Sequence, residues 1–268
     1  MALPEIPDEL WNRIVALLPG PKKNKKKTGR PRMEDRRAMD AIFYISRTGC
    51  QWKTLPRSLG AASTVHDRFQ EWRTAGIFKR MWIDGLKLYD GRVGINWKWQ
   101  SIDGVITKAP LGGKSTGPNP TDRAKSGTKR SILVDGDGIP LGLTVDGANI
   151  HDMKMTKATL QSIVFFRPKP TVKTHQNMCL DKGYDFPEVY ELLEDHGYTI
   201  HIRKRGEHNY KQIPRYRTRR RWVVERTHSW MNRFRRLLIR WEKKVDNYIA
   251  MLHFACAWIT YKRSRLFG

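Results

Sequence analysis

The chain has 268 residues, with 51 Lys plus Arg against 26 Asp plus Glu, a formal charge of +25 and a pI near 10.3. Hydrophobic residues make up 39%, with 10 Trp, 9 Tyr and 9 Phe, which is enough apolar surface for a core and excludes a disordered basic tail. So large an excess of one sign concentrates polyanions around the protein, and nucleic acid is the one a basic protein most commonly meets.

In chain order, Pro7 to Leu18 reads as a short amphipathic helix, capped by Asp8, with Leu10, Ile14, Leu17 and Leu18 on one face. From Lys22 to Arg32 seven of eleven residues are basic and none is apolar, so a solvated arm is expected at about 20–33. Helical spacing returns at Arg36 to Arg47, breaks at Thr48-Gly49, and resumes after a Pro56 to Gly60 turn from Ser63 to Trp72 and again from Ile77 to Tyr89. Two short helices across a Gly/Pro turn suggest a helix-turn-helix. Its second helix would offer Ser63, Thr64, His66, Asp67, Arg68 and Gln70 to a major groove while Val65, Phe69 and Trp72 face inward. The same pattern also suits a three-helix domain without DNA contact. In the arm, Lys25, Lys26, Lys27, Arg30 and Arg32 either touch phosphates or place an arginine in an A·T minor groove.

The period then changes. Ser101 to Ile106 is β-prone, Pro110 to Thr128 is a loop rich in Gly, Pro, Ser and Lys, and Ser131 to Val145 is two apolar runs around Asp135-Gly136-Asp137-Gly138, a hairpin signal. A helix is expected at Asp152 to Val164, capped by Asp152, and a buried strand at Asn177 to Leu180 that delivers Asp181 at its end. A helix at Pro187 to His196 and a strand at Tyr198 to Ile202 complete a mixed α/β sheet. From Arg203 to Lys244 there are 16 Lys plus Arg against 3 acids. One long helix there would carry an apolar stripe through Val223, Trp230, Phe234, Leu237 and Trp241, with Arg221, Glu225, His228 and Asn232 on the other side. Tyr248 to Tyr261 spans 14 residues, short of the roughly 20 that cross a bilayer, so a buried core helix and no membrane contact are expected. Cys50, Cys179 and Cys256 form no CxxC pair, which argues for a reducing compartment and against a cysteine zinc site. With no apolar run of signal-peptide length near the start, a cytoplasmic location is expected.

Three carboxylates stand out inside these basic surroundings. Asp103 lies in a strand, Asp181 at a strand end with 77 residues between them, and Glu225 on the basic helix with a further 43 residues between it and Asp181. Glu225, among Arg219, Arg220, Arg221 and Arg226, is either a salt-bridge acceptor or a metal ligand. Two strand-borne aspartates and a helix-borne glutamate can converge at one sheet edge to hold two Mg²⁺ ions, which activate a water or 3′-hydroxyl and neutralise charge on a scissile phosphate.

At Asp103-Gly104, Gly147 to Asp152, Asp181-Lys182-Gly183-Tyr184-Asp185, and Arg221 to Arg226 followed by Asn232 to Leu237, the chain resembles the DDE transposases of bacterial insertion sequences, and specifically the IS5 group of the IS4-like superfamily. Gly29 to Arg32, Arg47-Thr48-Gly49 with Trp52, and Leu55-Pro56 resemble that group's leading domain, so the likeness covers nearly the whole chain. The resemblance implies an RNase H-like catalytic domain at 93–268, with Asp103, Asp181 and Glu225 as catalytic, metal-binding triad for two Mg²⁺, Mn²⁺ being the substitute. It also implies a helical DNA-binding domain at 1–92. The family's arginine near its glutamate matches Arg221, whereas Thr218 stands for its tyrosine and Asn232 for its lysine, leaving Arg226, Arg233 or Tyr216 to substitute. The expected function is binding of terminal inverted repeats, cleavage at the element ends and transfer of 3′-hydroxyl ends to target DNA, by a homodimer on DNA associated with the nucleoid. Arg219, Arg220, Arg221, Trp222, Arg226 and Arg233 would contact that DNA, Trp222 by stacking on an unpaired base, the alternative for Trp222 being packing within the protein. The rival reading is an inactive, transposase-derived DNA-binding regulator.

Overall fold

The computed structural model describes residues 4–20, 31–202 and 222–267. Its leading part is helical: α1 Asp8–Val15, α2 Asp35–Thr48, α3 Ala62–Thr74 and α4 Ile77–Arg92. Each buries the face its period predicts, Leu10 and Ile14 on α1, Met39, Ile42 and Ile45 on α2, Val65, Phe69 and Trp72 on α3. The chain leaves α2 through Gly49, whose φ of 74° is the left-handed cap that glycine adopts without a Cβ penalty. Helix α1 is shorter than expected, and Asp8 does not cap it. Pro7 holds the cap position, and the Asp8 carboxylate takes Arg36 Nη1 at 2.8 Å.

The sheet contains β1 Trp99–Lys108, β2 Gly117–Pro118, β3 Ser126–Asp135, β4 Pro140–Gly147, β5 Gln176–Leu180 and β6 Tyr198–Ile202. Strands β4, β3 and β1 pair antiparallel, while β1, β5 and β6 pair parallel, giving the spatial order β4, β3, β1, β5, β6 with short β2 beside the start of β3. Helix α5 Asp152–Gln161 links β4 to β5, and α6 Pro187–Asp195 makes the crossover from β5 to β6. An antiparallel meander continued by parallel strands through helices is the RNase H-like arrangement, so the α/β class holds. At the β3–β4 turn, buried Asp135 accepts the backbone N–H groups of Asp137 at 2.9 Å, Ile139 at 2.8 Å and Asn96 at 3.0 Å. Burial raises its pKa to about 6 against the pull of those three donors.

The last part departs from the expectation of one long helix. Helix α7 is Trp222–Asn232, a single 3-10 turn covers Arg235–Leu237, and α8 is Val245–Arg263. After Asn232 long-range contacts redirect the chain: Phe234 packs edge-on to Phe43 and under Arg47, and the Arg240 N–H donates to Lys108 O at 2.8 Å. Trp241, the last residue of the predicted stripe, is consequently 42% exposed. Two cations of the basic run are core ties. Arg236 pairs with buried Glu242 at 2.7 Å, and Arg240 donates to Ser115 O, Lys114 O and Thr128 Oγ1.

Helix α8 is the expected buried helix, and it lies on α4. A methyl at Gly85 would come 3.3 Å from Thr260 Cβ, and Tyr261 OH donates at 2.7 Å to Asp84, which Arg13 also holds at 2.8 Å. Trp82 Nε1 donates to Pro140 O at 2.9 Å, so one continuous core runs from α1 through α4 and α8 into the sheet. Among the described residues, no helix is long and apolar enough to cross a membrane.

Candidate active site and DNA-binding surface

Strands β1 and β5 are parallel neighbours with Ser101 opposite Cys179. Two residues further on, Asp103 and Asp181 therefore leave adjacent strands at the same level, where strands lie about 4.8 Å apart. Both are half-buried. Asp103 Oδ1 accepts its neighbour Gly104 N–H at 2.9 Å, and Asp181 caps the 3-10 turn Lys182–Tyr184 by accepting the Lys182 N–H. Strand alternation puts Asp103 on the same face as Val105 and its cross-strand partner Arg130. That face is covered by α7, which buries Val223, Val224, Thr227, His228 and Met231 and leaves Glu225 exposed. The fold thus brings two of the three predicted carboxylates together and sets the third on the helix above their face. Among the described residues, no three acidic, His or Cys side chains gather into one ligand cluster. The donor set of carboxylate oxygens fits a hard divalent cation, which Asp103 and Asp181 would hold.

His228, expected beside Glu225, is instead 4% exposed, with its ring against the backbone of Asp103. Burial, and then the charge of Arg130, push its pKa down to about 3, so it stays neutral. Arg130 is a buried cation on the face of Asp103 that the sequence does not disclose. It is 1% exposed, and its Nη2 donates to Asn232 Oδ1 at 2.7 Å, at the position where the resemblance expects a lysine. No local signal marks it, because Lys129-Arg130-Ser131 reads like a solvated strand start. The helix after β4 is capped by His151, whose Nδ1 accepts Met153 N–H at 3.4 Å, and Asp152 instead pairs with Lys129 at 3.2 Å. Asp185 accepts the Tyr190 hydroxyl at 3.1 Å.

On α3, Ser63, Thr64 and Asp67 are exposed as expected, and His66 is half-buried against the Trp52 ring, 4.9 Å between centroids, with Gln70 Nε2 3.3 Å away. Arg68 corrects the reading. It is 4% exposed, ion-paired to Asp35, donates to Met33 O at 3.0 Å and lies over Trp72, because spacings of three from Val65 and four to Trp72 place it on the inner face. Arg32 pairs with Glu71 at 3.0 Å and so fastens the end of the arm to α3. A groove of about 1270 Å³ opens there, lined by Arg32, Arg37, Arg57, Thr64 and Gln70 among others. Lys25, Lys26, Lys27, Arg30, Tyr216, Thr218, Arg219, Arg220 and Arg221 lie outside the described residues.

Trp222 is 49% exposed. Arg226 is a second correction: its guanidinium is sandwiched between Trp222, 4.4 Å away, and Trp230, 4.8 Å away, and donates to Asp137 O at 2.6 Å. It ties α7 to the β3–β4 turn instead of facing outward. Arg233 is exposed and near Arg47, whose pKa is lowered by burial and then by that charge.

Residues 6–82 match the family described as "Putative transposase of IS4/5 family", and residues 100–260 match the family described as "Transposase DDE domain". The chain belongs to the DDE transposases. The leading match is to the combined IS4/5 family, a coarser assignment than the IS5 group. Over 170 residues it is 35% identical to a "Putative transposase for insertion sequence element IS402" of Burkholderia cepacia, a match covering 60% of this transposase and 76% of the relative. An "Insertion element IS402 uncharacterized 16.2 kDa protein" of the same organism is 32% identical, covering 45% of this chain and 84% of that one. A distant likeness is the solved structure titled "Crystal structure of the Mos1 mariner paired end complex with Mn", 13% identical, covering 80% of this chain and 81% of that chain, with a TM-score of 0.27.

Proposed function

We propose that this transposase binds the terminal inverted repeats of an insertion sequence, cleaves phosphodiester bonds at the element ends and transfers the 3′-hydroxyl ends to target DNA. The observation that carries this reading is the level pairing of Asp103 and Asp181 on neighbouring parallel strands, under a helix bearing Glu225, in a chain whose residues 100–260 match a transposase DDE domain. Asp103, Asp181 and Glu225 would hold two Mg²⁺ ions, with Mn²⁺ as substitute. Bound divalent cations supply Lewis acidity at the scissile phosphate and a deprotonated nucleophile at neutral pH. Residues 93–268 form the catalytic domain, and 1–92 recognise the ends through Ser63, Thr64 and His66 on α3 and through the basic arm. Arg233 and the cations leading into α7 hold the DNA backbone. Two ends must be joined in one event, so the working species is a homodimer on DNA, in the cytoplasm at the nucleoid.

The test is incubation of the purified protein with DNA carrying the flanking inverted repeats and Mg²⁺, beside an Asp181→Ala variant. End-specific cutting plus joining that disappears in the variant is the expected result. Cutting without joining would replace the transposase with a nuclease, and specific binding with no metal-dependent cutting would leave only a DNA-binding regulator.

A further inference from the structure

Behind the two aspartates, on the opposite face of the sheet, lies a polar cluster that the reaction does not use. Helix α5 packs there against β1, β3 and the 3-10 turn that follows Asp181. Gly104, the residue after Asp103, has no room for a side chain because the Asp152 carboxylate sits over its backbone, with Oδ1 the nearest atom. Asp152 is held in place by Lys129, whose Nζ reaches its Oδ2 at 3.2 Å and Ile150 O at 2.7 Å. Tyr184 closes the same space from the other strand. It is the third residue after Asp181, its N–H donates to Asp181 O at 2.9 Å, and its side chain is 1% exposed. Burial, then the carboxylates of Asp152 and Asp103, hold its hydroxyl well above the usual phenol range against the pull of a side-chain hydrogen bond with Ser131, so it remains a proton donor. The hydroxyl lies toward Ser131 of β3, the cross-strand partner of Gly104, and Asp152 Oδ1 is buried without a hydrogen-bond partner among the described residues. A buried acceptor with nothing to take, set against a buried hydroxyl, calls for an explanation.

We propose that Tyr184 and Asp152 are positioning residues, which clamp the backbone of Asp103 to that of Asp181 and so set the spacing at which the two carboxylates take a divalent cation. Asp152 bears on β1 through Gly104, Tyr184 bears on the end of β5 through the capped turn, and the Tyr184 hydroxyl and the Asp152 carboxylate face one another beside Ser131, the cross-strand partner of Gly104. Neither touches the cation. The clamp fixes Asp181, which lies just past the end of β5, against Asp103 inside β1, in the way outer contacts orient metal-binding side chains. The inference rests on the metal-dependent reading of Asp103 and Asp181 given above.

The test is Mn²⁺ binding by the DNA-free full chain, followed by the electron paramagnetic resonance signal of free Mn²⁺, in wild type, Asp181→Ala, Tyr184→Phe, Asp152→Asn and Tyr190→Phe. Tyr190→Phe is the control, since it also removes one hydroxyl, the one given to Asp185. Tyr184→Phe and Asp152→Asn are expected to weaken Mn²⁺ binding roughly tenfold, the lower end of outer-ligand losses. The metal-free melting temperature of Tyr184→Phe should stay within a few degrees of wild type. Wild-type Mn²⁺ affinity in Tyr184→Phe would overturn the clamp while leaving the metal site standing. So would a loss matched by Tyr190→Phe, or one that follows a fall in melting temperature. No Asp181-dependent Mn²⁺ binding in wild type would overturn both the clamp and the reading beneath it.

Discussion

Arg130 and Asn232 show how one side chain sets the meaning of another. Arg130 is buried beneath α7 and gives one of its hydrogen bonds to Asn232 Oδ1 at 2.7 Å. Asn232 is itself exposed, so a lysine there, the residue the resemblance expects, would carry its ammonium toward water and leave the buried Arg130 guanidinium without this acceptor. Asn232→Lys should therefore destabilise this chain, by about 2 kcal/mol if the loss matches one charged hydrogen bond, and should not improve activity. Urea unfolding checks the first point, and a variant as stable as wild type would show that Arg130 does not depend on Asn232. Asp135 gives a pH signature of its own. Its folded-state pKa of about 6 lies above the ordinary 3.8, so the native state binds the proton more tightly between those values. Stability from this group is complete below pH 3.8 and is lost as pH rises through 6. Relative to Asp135→Asn, wild type should lose stability between pH 4 and pH 7, by up to about 3 kcal/mol at 1.36 kcal/mol per unit. Urea unfolding curves for the two proteins that shift in parallel with pH would contradict the assignment.

At the scale of elements, α3 divides residues by face. Arg68 occupies the inner face with Val65, Phe69 and Trp72, and its charge is met by Asp35 of α2. Arg68→Ala should lower stability by about 2 kcal/mol, the value of charged hydrogen bonds lost, whereas Ser63→Ala and Thr64→Ala should leave the melting temperature unchanged and weaken binding to inverted-repeat DNA. Equal loss of DNA affinity with no loss of stability in Arg68→Ala would return it to the outer face. The same helix shows what a sequence discloses. Period alone already assigned position 68 inward; the expectation of an outward arginine came from its chemistry, and the partner that reverses it lies 33 residues upstream. Strands, the Asp135 to Gly138 turn and the central helices were legible because their signals are local. The end of α7 was not, because the apolar spacing through Phe234 and Leu237 continues past Asn232, and what stops the helix is the distant backbone of Lys108 with the aromatic surface of α2. Asp103 and Asp181 were legible as carboxylates in or just after apolar strands. Arg130, Tyr184 and the sandwich around Arg226 were not, since each gains its role from contacts across the sheet.

For the whole molecule, the decisive contact is α4 on α8. Residues from both ends of the chain meet there, Asp84 with Arg13 and Tyr261, Gly85 with Thr260, and Trp82 with the carbonyl at the start of β4. Helix α8 is apolar on nearly every side, with Ala250, Met251, Leu252, Phe254, Ala255, Cys256, Ala257 and Ile259 all buried, so it needs cover from the leading helices as well as from the sheet. A division at 92/93 can separate functions without separating folding, because fragment 93–268 would expose the α4-facing surface of α8 to water. Unfolding of the full chain should accordingly be one cooperative heat-absorption peak. Gly85→Val, which forces methyl groups toward Thr260, should move that single peak down, at about 1–3 kcal/mol for overpacking. Two peaks in calorimetry, or a Gly85→Val variant that shifts only one part of the transition, would show instead that the helical region and the sheet fold as independent units. In that case the DNA-recognition part could swing relative to the carboxylates. A single peak means that the leading helices and Asp103 and Asp181 are carried on one rigid body, so that the register of a bound DNA end against the carboxylates is set by the core itself.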